Sequence, residues 1–279
     1  MSLTLVFTGG WIASVNVQNH ERIQLQKNQI KALNSLISAI HNRQLKLKNL
    51  KDHYYDVMTT SQRFDRGLMV RRVNISLNVP STDVSDVLFL TKLFKNYSPK
   101  VKKGKSTPLQ QIPDDLLSCN PSFIQSCLHN YDSTVGQWQL RDETYSELIK
   151  KLDGGYLGGG HYSYSTSELK EKIPYSELTG LLFMTEEVVL NVEESLKYFE
   201  MIVENLAKKS RTLFNKKILK ESGGLLTFTF DDKHNERYSR PVNPLSKQET
   251  DFLSARDYPF VDNYTLLWSY SSKFTPDAD

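Results

Sequence analysis

Five glycines fall within the nine residues Asp153-Gly154-Gly155-Tyr156-Leu157-Gly158-Gly159-Gly160-His161, out of 13 in the whole chain. Clustered glycines let successive backbone N–H groups converge on an anion, and a phosphate cradle of this kind is usually followed by a helix whose N-terminus faces the ligand. Here neither GxxxxGK[ST] nor GxGxxG after a strand occurs, and Tyr162-Ser163-Tyr164-Ser165-Thr166-Ser167 follows instead of a helix start. The run reads as a flexible loop or a tight corner. If an enzyme site exists, it lies around this Gly154–His161 loop, with His161, Tyr162 and Tyr164 as its reactive groups.

Lys100, Lys102, Lys103 and Lys105 put four cations in six residues beside Pro99 and Pro108. Such a loop suits phosphate contacts with nucleic acid or an anionic lipid surface, and it also suits a solvated connection. The glutamates Glu186, Glu193, Glu200 and Glu204 have no ExxH companion, which makes them a solvated helix face rather than a di-metal site. The six histidines show no HExxH pattern, no GxSxG elbow is present, and Cys119 and Cys127 lack zinc-ligand spacing. These residues predict no catalytic group, no metal, no cofactor and no small-molecule ligand. Two cysteines in 279 residues also suit a reducing, intracellular compartment, cytoplasm or nucleus.

Positioning any of these groups falls to two long segments with apolar residues at helical spacing. The first, domain 18–66, contains neither glycine nor proline up to Phe64 and carries Ile23, Ile30, Leu33, Ile37 and Ile40 on one stripe. A second register through Leu47, Leu50 and Tyr54 implies that the seam shifts sideways near Ile40. This quarter of the chain is basic, although 35 Lys and Arg against 32 Asp and Glu give the whole chain only +3. The second segment, 178–221, has a heptad at alternating steps of four and three: Leu178, Leu182, Thr185, Val189, Val192, Leu196, Phe199, Val203, Leu206, Ser210 and Leu213. Its acids precede its bases, in the sense that complements a helix dipole. Gly223-Gly224 forms the expected stop.

Around these, 1–17 reads as a short β-hairpin or N-terminal extension, with Gly9-Gly10 at the turn and no Lys or Arg ahead of the apolar run to make it a signal peptide. Residues 67–177 read as a mixed α/β head. Within it, Val73, Ile75, Leu77 and Val79 alternate as one face of a strand, and helices follow at 83–97, 113–117, 122–130 and 133–152. Residues 222–279 read as a β-hairpin, Leu225–Phe230 against Arg237–Val242, followed by an irregular aromatic end.

The expected class is therefore mainly α with a small β component (α+β): two heptad-bearing helices forming a stalk or antiparallel coiled coil, plus a head. The expected function is a non-enzymatic assembly, scaffold or adaptor subunit. Its partner-binding or self-associating seam would be Ile30, Leu33, Ile37, Ile40, Leu47, Leu50, Val189, Val192, Leu196, Phe199, Val203 and Leu206. The alternative is a membrane-active or nucleic-acid-binding protein, viral or bacterial, that uses the basic first helix and the Lys100–Lys105 loop.

Overall fold

The structure, a computed structural model, describes residues 3–60, 66–73, 76–94, 112–152, 156–158, 161–165, 169, 171–228, 242 and 265–269; the side chains of 3–13, 59–60 and the strand segments lie outside that description. The described chain is mostly helical. In order, α1 is Leu3–Thr60, α2 is Arg66–Met69, a 3₁₀ segment covers Ser85–Phe94, α3 is Asp114–Leu117, α4 is Pro121–Lys151, α5 is Tyr175–Ser210, a 3₁₀ turn covers Arg211–Leu213, and α6 is Lys216–Glu221. Strands β1 (Tyr156–Gly158), β2 (His161–Ser165) and β3 (Thr265–Ser269) form a small antiparallel sheet in the order β1-β2-β3, with Tyr162 opposite Trp268.

Two compact units are built from interleaved pieces: 1–45, 79–129 and 195–231 in the first, and 46–78, 130–194 and 232–279 in the second. Helices α1, α4 and α5 contribute to both.

The buried face of α1 explains why it forms. Ile30, Leu33, Ile37, Ile40, Gln44, Leu47, Lys51, Tyr54 and Met58 alternate steps of three and four, and each is at most 1% exposed. The sideways shift expected near Ile40 is instead a widening: Leu36, Arg43 and Leu50 are also at most 2% exposed, while polar Gln44 and Lys51 continue the first stripe. Helix α5 buries a broader face, in which Leu181, Val188, Ser195 and Ile202 flank the heptad of Leu178, Leu182, Thr185, Val189, Val192, Leu196, Phe199, Val203, Leu206 and Ser210. A stripe this wide suits a helix with neighbours on two sides.

In the second unit those neighbours are α1 and α4. Lys51 and Tyr54 of α1 meet Glu193, while Gln137 and Arg141 of α4 meet Asn191 and Thr185. Beside them Leu68, Tyr145, Leu148, Leu152, Leu169, Ile173, Leu178 and Leu181 form an apolar cluster. In the first unit, Phe123 of α4 lies edge-on to Tyr198 of α5 at 5.4 Å, and Phe89 is edge-on to Phe214 at 5.8 Å.

Several expectations are corrected. The segment 1–17 is helical from Leu3 onward, continuous with the long helix, so no hairpin forms at Gly9-Gly10. The second long helix ends at Ser210 rather than 221. After a 3₁₀ turn, Phe214 is extended (ψ 148°), and Asn215 caps the separate α6 by accepting from the Lys217 N–H at 2.9 Å. Gly223 and Gly224 then close the chain reversal at φ 80° and 83°, where a side chain would be strained. The two helices expected at 122–130 and 133–152 are one, because nothing between them breaks the ladder.

Within 67–177, expected as a mixed α/β head, β1 and β2 are present beside α2, α3 and α4. The main element there is the 31-residue α4. The described part of 71–79 forms neither helix nor strand among the described residues, and side chains of α1 and α4 take its hydrogen bonds. Lys46 Nζ donates to the Ser76 and Asn78 carbonyls at 2.7 and 2.6 Å, the Tyr131 hydroxyl donates to the Leu77 carbonyl, and the Val73 N–H donates to Asp142 at 3.1 Å. Leu225–Phe228 is no strand either. The Leu226 N–H donates to Asn34 Oδ1 at 2.9 Å, and Phe228 stacks on His41 with ring centres 3.7 Å apart. Of its expected partner, only Val242 is described, and it is buried.

Candidate functional site

Charged residues concentrate inside the second unit. Arg141, fully buried, uses its whole guanidinium: Nε donates to Thr185 Oγ1 at 3.1 Å, Nη1 to Asp142 Oδ1 at 2.9 Å, and Nη2 to the Gly67 carbonyl at 2.7 Å and to the Val70 carbonyl. The Tyr145 ring lies 4.9 Å away and the Trp138 ring 5.9 Å. Asp142 also accepts from Trp138 Nε1 at 3.2 Å. Burial raises the Asp142 carboxyl above its ordinary range, opposed by Arg141 and by the donors from Val73 and Trp138, and burial lowers Arg141.

Two further pairs lie along α5, seven residues apart. Lys51 meets Glu193 at 2.6 Å, and Tyr54 donates to the other Glu193 oxygen at 3.0 Å. Burial, then the Glu193 charge, pushes the Tyr54 phenol well above its ordinary value. Arg66 meets Glu186 at 3.1 Å and donates to the Met58 carbonyl at 2.6 Å. Chemically this interior exchanges charge for position: each cation ties a carboxylate of α4 or α5 to backbone or to another helix. Such pairs are costly to desolvate and more costly to break than they are stabilising.

Sequence reasoning places Glu186 and Glu193 on a solvated face, and Arg43, Lys48, Lys51 and Arg66 belong to the quarter of the chain that reads as basic. Glu186 and those four cations are at most 7% exposed, and the Glu193 side chain is 16% exposed. The available signal was Lys51 itself, a charge standing at a strict heptad position, which demands a partner on the facing helix.

All twelve residues expected as a partner-binding seam are buried in the chain's own core: Ile30, Leu33, Ile37, Ile40, Leu47 and Leu50 on α1, and Val189, Val192, Leu196, Phe199, Val203 and Leu206 on α5. Lys100, Lys102, Lys103 and Lys105 lie outside the described residues, as do Gly154, Gly155, Gly159 and Gly160. His161 stands in β2. Cys119 and Cys127 are free and buried, and burial pushes the Cys119 thiol up to about 11. Among the described residues no group of three or more His, Cys, Asp and Glu is arranged to hold a metal ion, and no helix is long and apolar enough to cross a membrane.

Exposed apolar side chains gather at the start of α1. Residues 14–25 are exposed one after another, twelve in succession, before burial begins at Ile30. Val15, Val17, Ile23 and Leu25 are 36%, 57%, 37% and 56% exposed. At about 100° per residue, Val17 stands roughly 200° round the helix from Val15, and Leu25 about 160° from Ile23. The apolar groups thus surround the helix instead of lining one face.

No protein-family model, no curated protein and no solved structure matches the chain.

Proposed function

We propose that the protein is a non-enzymatic assembly or adaptor subunit whose partner encloses the amino-terminal turns of α1. The observation that carries this reading is the run 14–25, helical and exposed on all sides with four large aliphatic side chains in water. Covering the exposed parts of those four side chains would contribute about 3–5 kcal/mol, at roughly 1.5–3 kcal/mol for each complete burial. A helix lying flat on a bilayer needs one apolar side, and this segment has none. A socket between helices of another protein matches it better. The two free cysteines support an intracellular setting for that assembly.

The test is the native size of the complex. On a native gel of gently lysed source cells, the full chain runs in a species larger than its own 32.1 kDa, and V15S/V17S/I23S/L25S shifts it to the mass of the free chain with its circular dichroism unchanged. A full chain already running at its own mass, indifferent to the four substitutions, overturns the proposal. Flotation with lipid vesicles that the same substitutions abolish would assign the segment to membrane and overturn it equally.

A further inference from the structure

The first unit contains a cleft of about 610 Å³, within the range of small-molecule sites. One wall is a stripe of α1 in which Lys27, Lys31, Asn34, Ser38 and Asn42 recur at steps of four, three, four and four, all facing the cavity. Val79–Thr82, Ser222 and Leu226 complete the lining. We propose that this cleft binds a phosphate monoester, with Lys31 and Lys27 as the charge partners and the hydroxyls of Ser38, Thr82 and Ser222 as hydrogen-bond donors.

Four observations converge on that chemistry. Among the described lining residues there is no aspartate or glutamate, whereas there are two lysines, two asparagines, four serines and a threonine. Lys31 has no acidic partner among the described residues, and Lys27 has only a loose, solvent-exposed contact with Glu221 at 3.8 Å. Ser222 also lines the cleft, and its buried Oγ has no hydrogen-bond partner among the described residues, which leaves that hydroxyl unsatisfied until the site rearranges around a ligand.

The walls are also held in place from behind. Buried Arg43 donates to the Pro80 carbonyl at 2.9 Å and to Thr82 Oγ1 at 3.0 Å, which fixes the loop and adds a positive charge beneath it. The Asn34 amide donates to the Gly224 carbonyl at 3.0 Å and accepts from the Leu226 N–H, holding the far end against α1. Arg43 and Asn34 are positioning residues here. A dianion in a partly enclosed cleft gains from two ammonium groups and from fixed hydroxyl dipoles together. Ile30, Ala39, Val79, Pro80 and Leu226 offer the body of the ester an apolar bed.

The same chemistry occurs in a soluble sugar or glycerol phosphate and in a phospholipid headgroup, and titration with two probes separates them. With the full chain at low salt, glycerol 3-phosphate binds saturably by calorimetry while glycerol does not; K31Q weakens it about tenfold, S222A about threefold, and the exposed Lys150→Gln leaves it unchanged. If phosphatidic acid vesicles bind in place of glycerol 3-phosphate, with the same dependence on Lys31 and Ser222, the ligand is the lipid headgroup. No saturable binding of either probe below about 10 mM overturns the proposal, as does binding that K31Q and S222A leave intact.

Discussion

Arg141 and its surroundings show how a single side chain can organise an interior. Its donors reach the backbone of Gly67 and Val70, Thr185 on α5 and Asp142 on its own helix, so replacing it removes the cation beside the mostly buried Asp142 carboxylate and the side-chain donor to two carbonyls. Arg141→Met is expected to lose about 3–5 kcal/mol in urea unfolding, whereas Lys151→Met, which breaks the exposed pair with Glu177, loses under about 1 kcal/mol. Equal losses would mean that the buried network contributes no more than a surface pair. Tyr54 adds a pH signature. Its folded phenol holds its proton above the value of about 10 at which the unfolded chain releases it, so its contribution is complete below pH 10 and is lost as pH rises toward the folded value. Between about pH 10 and 11 the parent should lose up to about 1.4 kcal/mol per pH unit from this group, and Tyr54→Phe should lack that component. Matching slopes in the two proteins would remove Tyr54 from the account.

At the level of elements, glycines separate close packing from free surface. A Cβ on Gly67 of α2 would stand 3.0 Å from the Leu182 backbone N and Cα, because α2 meets α5 backbone to backbone. On α4 and α5, by contrast, a Cβ at Gly136 or Gly180 meets nothing within 4 Å. Gly67→Ala is expected to destabilise by about 1–3 kcal/mol and Gly136→Ala to stabilise by about 0.5–1 kcal/mol, read from thermal and denaturant midpoints. A neutral Gly67→Ala would show that the two elements can separate at little cost. The helices themselves were legible in sequence, since the heptad of α5 and the glycine-free stretch of α1 are properties of the residues. The break after Ser210 was less so: Leu213 continues the heptad numerically, but Phe214 and Ile218 are the buried side chains, and the Asn215 cap governs the geometry.

Across the whole molecule, what sequence concealed was long-range pairing. The stripe Lys27 to Asn42 looks like the polar side of a helix until residues 79–82 and 222–226 are brought against it, and no local motif announces that meeting. The β expectation at 71–79 failed for a related reason. Alternating Val73, Ile75, Leu77 and Val79 suggest a strand, yet the hydrogen bonds of the described part come from the side chains of Lys46, Tyr131 and Asp142. That arrangement bears on biosynthesis. Tyr131 lies 54 residues beyond Leu77, and Asp142 lies 69 beyond Val73. On the ribosome the segment emerges after Lys46 but well before Tyr131 and Asp142, and an incompletely capped, alternating aliphatic stretch is the kind that pairs edge to edge with its like in a neighbouring nascent chain. Until α4 has been synthesised, this stretch lacks two of its three capping side chains.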